Sequence, residues 1–253
     1  MELDLKGKTS FVTGGTRGLG RAICFALAGE GVNLAINYRS DKHVAELLTA
    51  ELMEKFGVKA MTVFGDVSSE DQVCRMFDEA VSHFEQIDIL VNNAGICPVS
   101  MIKDMSLEEW HRVISTNLTG SFLTCREMVN HLIKQKRGGS IINIASQSAY
   151  NGSKSGKAHY AASKGGIVSF THSLAREVAQ YSIRVNGVAP GMMYTDMVSD
   201  ILDRNIDYYK KEIPIGRIAE VEEVAKAVVF LASEASSYIT GSVMDVSGGI
   251  IGV

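Results

Sequence analysis

Short apolar runs alternate with longer stretches of helical period along the chain. Ser10-Phe-Val-Thr13 is a short run that ends in Gly14-Gly15. An apolar-periodic stretch follows from about Leu19 to Leu27. Next come Asn33-Leu-Ala-Ile-Asn-Tyr38, a helical segment near 41–56 and Lys59-Ala-Met-Thr-Val-Phe64. A helix fits about 69–84, and Ile87-Asp-Ile-Leu-Val91 has the continuous apolarity of a buried strand. One long helical stretch covers about 106–135. Ser140–Ala145 is a fifth strand, followed by a helix over about 158–180. Ile183–Val188 and Ser242–Val246 complete seven strand candidates.

Strands that alternate with helices, and are apolar on both faces, predict an α/β fold with a parallel sheet covered on both sides. With no Pro/Ser-rich linker, charge block or repeat, residues 1–253 are expected to form one domain with a doubly wound, seven-stranded sheet. In such sheets ligands sit beyond the carboxyl ends of the strands. Gly14, Tyr38, Asp66, Asn92, Ser146 and Pro190 all fall at those ends.

Composition narrows the function. The net charge of −4 argues against a nucleic-acid-binding face. No apolar stretch approaches the roughly 20 residues of a bilayer span, and the charged start, Met1-Glu-Leu-Asp-Leu-Lys6, is unlike a signal peptide. Cys24, Cys74, Cys97 and Cys125 form no Cys-x-x-Cys pair, which fits free thiols in a cytoplasmic protein. The histidines show no metal-ligand spacing, so no metal is expected.

Thr13-Gly-Gly-Thr-Arg-Gly-Leu-Gly20 joins the first strand to the first helix. Gly14, Gly18 and Gly20 permit a tight turn and close backbone approach to a pyrophosphate. The helix N-terminus adds unpaired N–H groups for phosphate. An acid at the second strand end would repel a 2′-phosphate, yet no acid stands between Gly31 and Ser40. Tyr38-Arg39 is there instead, and Arg17 lies in the glycine turn. Two guanidiniums could clamp a 2′-phosphate. The expected cofactor is therefore NADP(H), with NAD(H) possible. The alternative makes both arginines solvated surface residues. Asp66, with Val67, ends the third strand and either meets an adenine amino group or caps the next helix.

Three Tyr-x-x-x-Lys matches occur: Tyr38/Lys42, Tyr150/Lys154 and Tyr160/Lys164. Tyr38/Lys42 lies at the adenosine end. Tyr150/Lys154 sits in a loop composition, Asn151-Gly-Ser-Lys-Ser-Gly156, with no helical face. Tyr160/Lys164 begins a segment with apolar residues at Ile167, Val168, Phe170, Leu174 and Val178. Only this pair has a rigid helical platform, on which positions i and i+4 share a face. A nearby ammonium would lower the phenol's pKa from about 10. Ser146, at a strand end, could hold a carbonyl against the phenol.

Over essentially its whole length the chain resembles the short-chain dehydrogenase/reductase family. The matching elements are Thr13-Gly-x3-Gly-x-Gly20, Asn92-Asn-Ala-Gly95, Asn117, Ser146, Tyr160-x3-Lys164 and Pro190-Gly191 followed by Thr195. The resemblance implies a Rossmann fold and a role for each residue. Tyr160 would be the general acid/base, Ser146 would polarise the carbonyl, and Lys164 would bind the nicotinamide ribose. Asn117 would hold a water of a proton relay to Lys164. Thr16, Leu19, Asn92, Asn93, Ala94, Gly95, Pro190 and Gly191 would lie along the cofactor with the glycine turn, and Thr195 would contact the nicotinamide amide or phosphate. The segment at about 192–213 would be a substrate lid, and the assembly a homotetramer built on the helices near 106–135 and 158–180.

Among subfamilies the chain looks most like bacterial 3-oxoacyl-acyl-carrier-protein reductases. Pro214-Ile-Gly-Arg217, Val224-Ala…Phe230-Leu-Ala-Ser233 and Tyr238-Ile-Thr-Gly241 carry that likeness. It implies a 3-oxoacyl thioester substrate and an acyl carrier protein partner. Lys134, Lys136 and Arg137 could dock such an acidic partner, or complement the helix dipole. Two departures point toward other ketones, such as sugars, steroids or keto-esters. Tyr181 stands where the subfamily often has a basic residue, and the Ser146-to-Tyr160 spacing is one residue longer than usual. A catalytically inactive dinucleotide sensor is a further alternative, disfavoured by the intact Asn117/Ser146/Tyr160/Lys164 set. His159 is expected at the surface or in a pocket wall, and Cys97 as a small apolar filler near the pocket.

Overall fold

The computed structural model describes residues 2–153, 155–194 and 210–251. Seven parallel strands form one sheet, in the order β3-β2-β1-β4-β5-β6-β7. They are β1 (Thr9–Val12), β2 (Asn33–Tyr38), β3 (Ala60–Phe64), β4 (Ile89–Asn92), β5 (Gly139–Ile144), β6 (Ile183–Pro190) and β7 (Val243–Val246). Order reverses between β1 and β4, where Val12 sits opposite Val91. Connections leave that point in opposite directions, so a crevice opens at the strand ends.

Side-chain alternation divides the strands between two cores. Val12, Ile36, Val91, Ile142 and Val188 face one side, with Leu27 of α1 (Gly18–Gly29) and Leu52 of α2 (Lys42–Phe56). Phe11, Val63, Leu90, Ile141 and Val185 face the other, with Phe77 of α3 (Glu70–Phe84). Burying each such side chain contributes about 1.5–3 kcal/mol, which explains why the strands tolerate so few polar residues. Helix ends follow local chemistry: Asp41 Oδ1 accepts from Val44 N at 3.0 Å at the start of α2, and Gly57 ends that helix at φ 69°.

The structure differs from the sequence reading in several places. The long helix near 106–135 is α4 (Leu107–Ile114) and α5 (Gly120–Gln135), joined by a π-helical turn over Ser115–Thr119. β4 begins at Ile89, not Ile87, and β6 runs two residues further, to Pro190. A short α6 (Ser148–Asn151) precedes α7 (Ala158–Val178). Tyr150 therefore stands on a helical turn rather than in a loop; Lys154 lies outside the described residues. The periodic reading also omitted α8 (Val221–Ala232), which packs Val224, Val228 and Leu231 on the first core. Glu220 and Glu223 form its capping box. Among the described residues no helix is long and apolar enough to cross a membrane.

Candidate active site

A cleft of about 720 Å³ runs along the carboxyl ends of the strands. Its floor is the turn between β1 and α1. Gly14 has φ +61°, and a Cβ there would stand 3.0 Å from Ala94 Cα. A Cβ on Gly20 would run into Gly14 O and lie 2.5 Å from Asn93 Nδ2. The turn thus exists only because these positions lack side chains. Thr13 fastens it: its Oγ1 accepts from Asn93 N and Ala94 N, each at 3.0 Å. Asn37 supports it from β2, with Oδ1 accepting from Gly14 N at 3.2 Å and Nδ2 donating to Gly65 O at 2.9 Å. The sequence reading passed over Asn37. Its one signal was a polar residue inside an otherwise apolar strand.

Gly14, Thr16, Arg17, Gly18, Leu19, Gly20, Tyr38, Arg39, Asp66, Val67, Asn93, Ala94, Gly95, Pro190 and Gly191 line this cleft, together with Ser146, Tyr160 and Lys164. Thr195 lies outside the described residues, as does most of the expected lid. Asn92 does not line the cleft. Its side chain turns into the protein, where Nδ2 donates to Asn143 Oδ1 at 2.9 Å and Oδ1 accepts from Thr124 Oγ1 at 2.6 Å.

At the far end Arg39 Nη1 stands 3.5 Å from Asp66 Oδ2. Asp66 Oδ1 accepts from Ser68 N and Oγ at 2.9 and 2.7 Å. Burial pushes the Asp66 pKa up, but the Ser68 donors and the Arg39 guanidinium outweigh it and hold the carboxyl below its ordinary value. Both sequence readings of Asp66 thus have a basis, since one oxygen serves the turn before α3 while the residue lines the cleft. Asp41 also lines the cleft, one residue beyond the stretch read as free of acid.

The other end holds the candidate chemistry. Ser146 follows β5, and its Oγ accepts from Ser148 N at 3.1 Å. Lys164 is buried and donates from Nζ to Ile144 O at 2.6 Å, with Nζ 5.7 Å from the Tyr160 ring centroid. The expected lowering of the Tyr160 pKa by Lys164 is not the balance found. Burial pushes the phenol up to about 12, the Cys97 thiol adds to this, and the Ser146 hydroxyl pulls the other way. Burial likewise drives the Lys164 ammonium down to about 8. Desolvation disfavours both charged forms and dominates at each.

Asn117 lies in the π-helical turn, and its side chain is fully engaged. Oδ1 accepts from Ile96 N at 2.8 Å, while Nδ2 donates to Ile96 O and Ser163 Oγ, both at 3.0 Å. Ser163 Oγ in turn donates to Tyr160 O at 2.7 Å. A Cβ on Gly95 would lie 3.3 Å from Asn117 Oδ1 and 3.8 Å from Lys164 Nζ. The π turn thus locks the loop after β4 onto the Tyr160 helix. His159 is wholly buried, not a surface or pocket-wall residue. Its Nδ1 accepts from Tyr160 N at 2.9 Å, and its Nε2 faces Glu109 Oε1 of α4 at 3.5 Å without a hydrogen bond among the described residues. Cys97 is half-buried, and burial raises its thiol pKa against the pull of Lys157 and Lys164. The basic cluster of Lys134, Lys136 and Arg137 sits where α5 leads into the start of β5, at the end of that strand opposite Ser146. Arg137 is there paired with Asp88 at 3.4 Å. The cluster is therefore not at the mouth of the chain's own site.

A glycine-floored cleft at a topological switch point, with Ser146, Tyr160 and Lys164 at one end, defines a nicotinamide-dinucleotide oxidoreductase acting on carbonyl and hydroxyl groups. The comparisons place it more closely. Residues 14–251 match the family model described as enoyl-(acyl carrier protein) reductase. The 3-oxoacyl-[acyl-carrier-protein] reductase FabG of Aquifex aeolicus is 43% identical over 250 residues, covering 99% of this chain and 100% of the relative. The uncharacterized oxidoreductase YgfF of Escherichia coli K12 is 42% identical over 244 residues, covering 95% and 98%. A short-chain type dehydrogenase/reductase from Mycobacterium marinum superposes with a TM-score of 0.92 at 37% identity, covering 98% of this chain and 97% of that one. A Brucella melitensis structure described as a short-chain dehydrogenase/reductase of glucose/ribitol dehydrogenase type gives 0.92 at 34% identity, with full coverage of both chains. The chain belongs to the short-chain dehydrogenase/reductase family.

Proposed function

We propose that the protein is an NADPH-dependent carbonyl reductase with 3-oxoacyl thioesters, free or on an acyl carrier protein, as leading substrates. The observation that carries this reading is the convergence of Ser146, Tyr160 and Lys164 on one end of a cleft whose other end holds Arg39. The cradle fits the cofactor, since Gly14, Gly18 and Gly20 line the cleft at the N-terminus of α1, the arrangement that a closely held pyrophosphate requires. The glycine turn and the N-terminus of α1 would hold the phosphates, Arg17 and Arg39 the 2′-phosphate, and Lys164 the nicotinamide ribose. When bound, the cofactor supplies the hydride. Tyr160 then gives its proton to the carbonyl oxygen, while Ser146 donates a hydrogen bond to the same atom as negative charge develops. A phenol held near 12 is protonated at neutral pH, the form that reduction needs. Asn117 keeps the loop and α7 in register rather than moving a proton through its side chain.

Lys164 sets the expected pH dependence. Its ammonium persists below about 8 and is lost above. We therefore expect kcat/KM for reduction, which reports groups of the free enzyme, to be level below pH 8 and to fall as pH rises through that value. A profile level to pH 10 would remove Lys164 as the controlling group.

A homotetramer and a cytoplasmic location belong to the same reading. Phe122 is exposed on α5 and packs edge-on against Phe170 of α7 at 6.4 Å, so an apolar strip is available there for another subunit. A second reading, oxidation or reduction of polyols and sugars, is favoured by the polar loop Gln147–Gly156. NADPH and NADH consumption with acetoacetyl thioester, a keto-sugar, a steroid ketone and crotonyl thioester separates the two. The acetoacetyl thioester is expected to be turned over fastest, with NADPH. Preference for the sugar supports the second reading, and turnover of crotonyl thioester alone overturns both.

A further inference from the structure

A chain of buried polar side chains crosses the core beneath the site, and the chemistry assigned above does not use it. Thr124 of α5 donates from Oγ1 to Asn92 Oδ1 of β4 at 2.6 Å. Asn92 Nδ2 donates to Asn143 Oδ1 of β5 at 2.9 Å. Asn143 Nδ2 donates to Thr171 Oγ1 of α7 at 2.9 Å, and Thr171 Oγ1 donates to Ile167 O at 2.8 Å. Asn92 and Asn143 stand side by side in the sheet register. The donors therefore all point one way, from α5 through two strands into α7. All of these side chains are buried, Thr124, Asn143 and Thr171 completely.

Polar groups are expensive to desolvate, and apolar side chains of similar shape would fill the same space. What the hydrogen bonds add is one permitted register between the elements they join. The point where the chain enters α7 gives that register a use. The buried face of α7 carries Lys164, Ile167, Thr171, Ala175 and Val178. Thr171 lies seven residues beyond Lys164, two turns along the same face. The two residues reach neighbouring positions of one strand. Thr171 meets Asn143, and Lys164 Nζ donates to Ile144 O. Ser146 follows two residues later. Held at both points, α7 cannot slide or turn along β5 without breaking one of them. The titratable groups that face Lys164 are Tyr160 of its own helix and Cys97 of the loop after β4, and the hydrogen bond that holds its ammonium is the one to Ile144 O.

Resting on the carbonyl-reductase reading for what Lys164 and Tyr160 do, we propose that Asn143 and Thr171 are positioning residues for the reaction. Their hydrogen bond fixes α7 on β5, so that Lys164 stays on Ile144 O and Tyr160 stays beside Ser146.

Wild type, Thr171→Val and Thr171→Ser are compared at a temperature at which circular dichroism shows all three folded. Valine keeps the shape and removes the acceptor, at a position that does not line the cleft. In Thr171→Val, kcat/KM for acetoacetyl thioester falls about 10- to 100-fold, the effect of reacting groups displaced by about an ångström. A hydrogen bond made by the charged form raises an amine's pKa, so freeing Lys164 from Ile144 O moves the fall of kcat/KM, expected near pH 8, down by roughly half a unit or more. Thr171→Ser keeps the hydroxyl and stays within about 3-fold of wild type, with the midpoint in place. Unchanged rates and midpoints in Thr171→Val, whatever its melting temperature, overturn the proposal. So does a loss of rate with the midpoint unmoved, which a loosened core alone would give, and so do equal losses in the valine and serine variants. Should Thr171→Val not fold, Thr171→Ala makes the same deletion without pressing a methyl group on the Asn143 amide. If wild type reduces no ketone, the carbonyl-reductase reading fails by itself, and Thr171 is decided without turnover. The pH titration of the carbon-13 resonance of Lys164 Cε, assigned with Lys164→Met, then moves down in Thr171→Val and not in Thr171→Ser. The same titration in all three proteins overturns the proposal.

Discussion

Tyr160→Phe is expected to bind NADPH as wild type does and to lose nearly all turnover. The ring packs in the wall of the cleft, and the substitution removes one oxygen without altering that packing. Every contact assigned to the cofactor phosphates and ribose survives, including Lys164 Nζ on Ile144 O. What disappears is the proton donor at the carbonyl oxygen. General acid catalysis contributes about 10²–10⁴-fold. Ser146 cannot replace it, because an alcohol hydroxyl is a far weaker acid than a phenol. Fluorescence titration of NADPH and steady-state rates on acetoacetyl thioester check the two halves separately. A rate within 10-fold of wild type would remove Tyr160 from the proton-transfer role. Weakened NADPH binding would instead mark the phenol as part of the cofactor site.

The parts of this site legible in the sequence were those set by local rules. A glycine turn between a strand and a helix fixes backbone within a few residues, and positions 160 and 164 share a face wherever they lie on a helix. The parallel sheet follows from the alternation of strands with helices, because a parallel strand covered on both sides must be apolar on both faces. What local rules could not reach depends on partners distant in sequence. Asn92 reads as a cleft residue from its motif, yet Thr124 and Asn143 draw it inward. The π turn depends on Asn117 gripping Ile96, a contact invisible to helical periodicity. His159 looked peripheral because neighbours on a helix point about 100° apart, but the side opposite the pocket is covered by α4. Lys134, Lys136 and Arg137 are adjacent to β5 in sequence and lie at the wrong end of it for the chain's own site.

Replacing Arg39 by aspartate is expected to invert cofactor preference. Arg39 is exposed on most of its side chain, and its ion pair with Asp66 is long at 3.5 Å. Such a pair contributes little to stability, so the substitution should leave the fold intact. Toward a 2′-phosphate the guanidinium counts for more, because charge-assisted hydrogen bonds to an oxyanion contribute about 1.5–3 kcal/mol, or roughly 10- to 150-fold in affinity. Aspartate adds repulsion to that loss and offers an acceptor to a ribose 2′-hydroxyl, so NADH should gain as NADPH declines. Asp41 already stands in the same part of the cleft, but Val44 N holds one of its oxygens as the cap of α2. A new carboxylate at 39 would carry no such engagement. The ratio of kcat/KM for NADPH to that for NADH should therefore fall by more than about 100-fold between wild type and Arg39→Asp. If the ratio is unchanged, Arg39 is a solvated surface residue, and discrimination lies with Arg17 or is absent. If both cofactors weaken equally, the residue supports the adenosine pocket as a whole, and its pairing with Asp66 is what the cofactor needs.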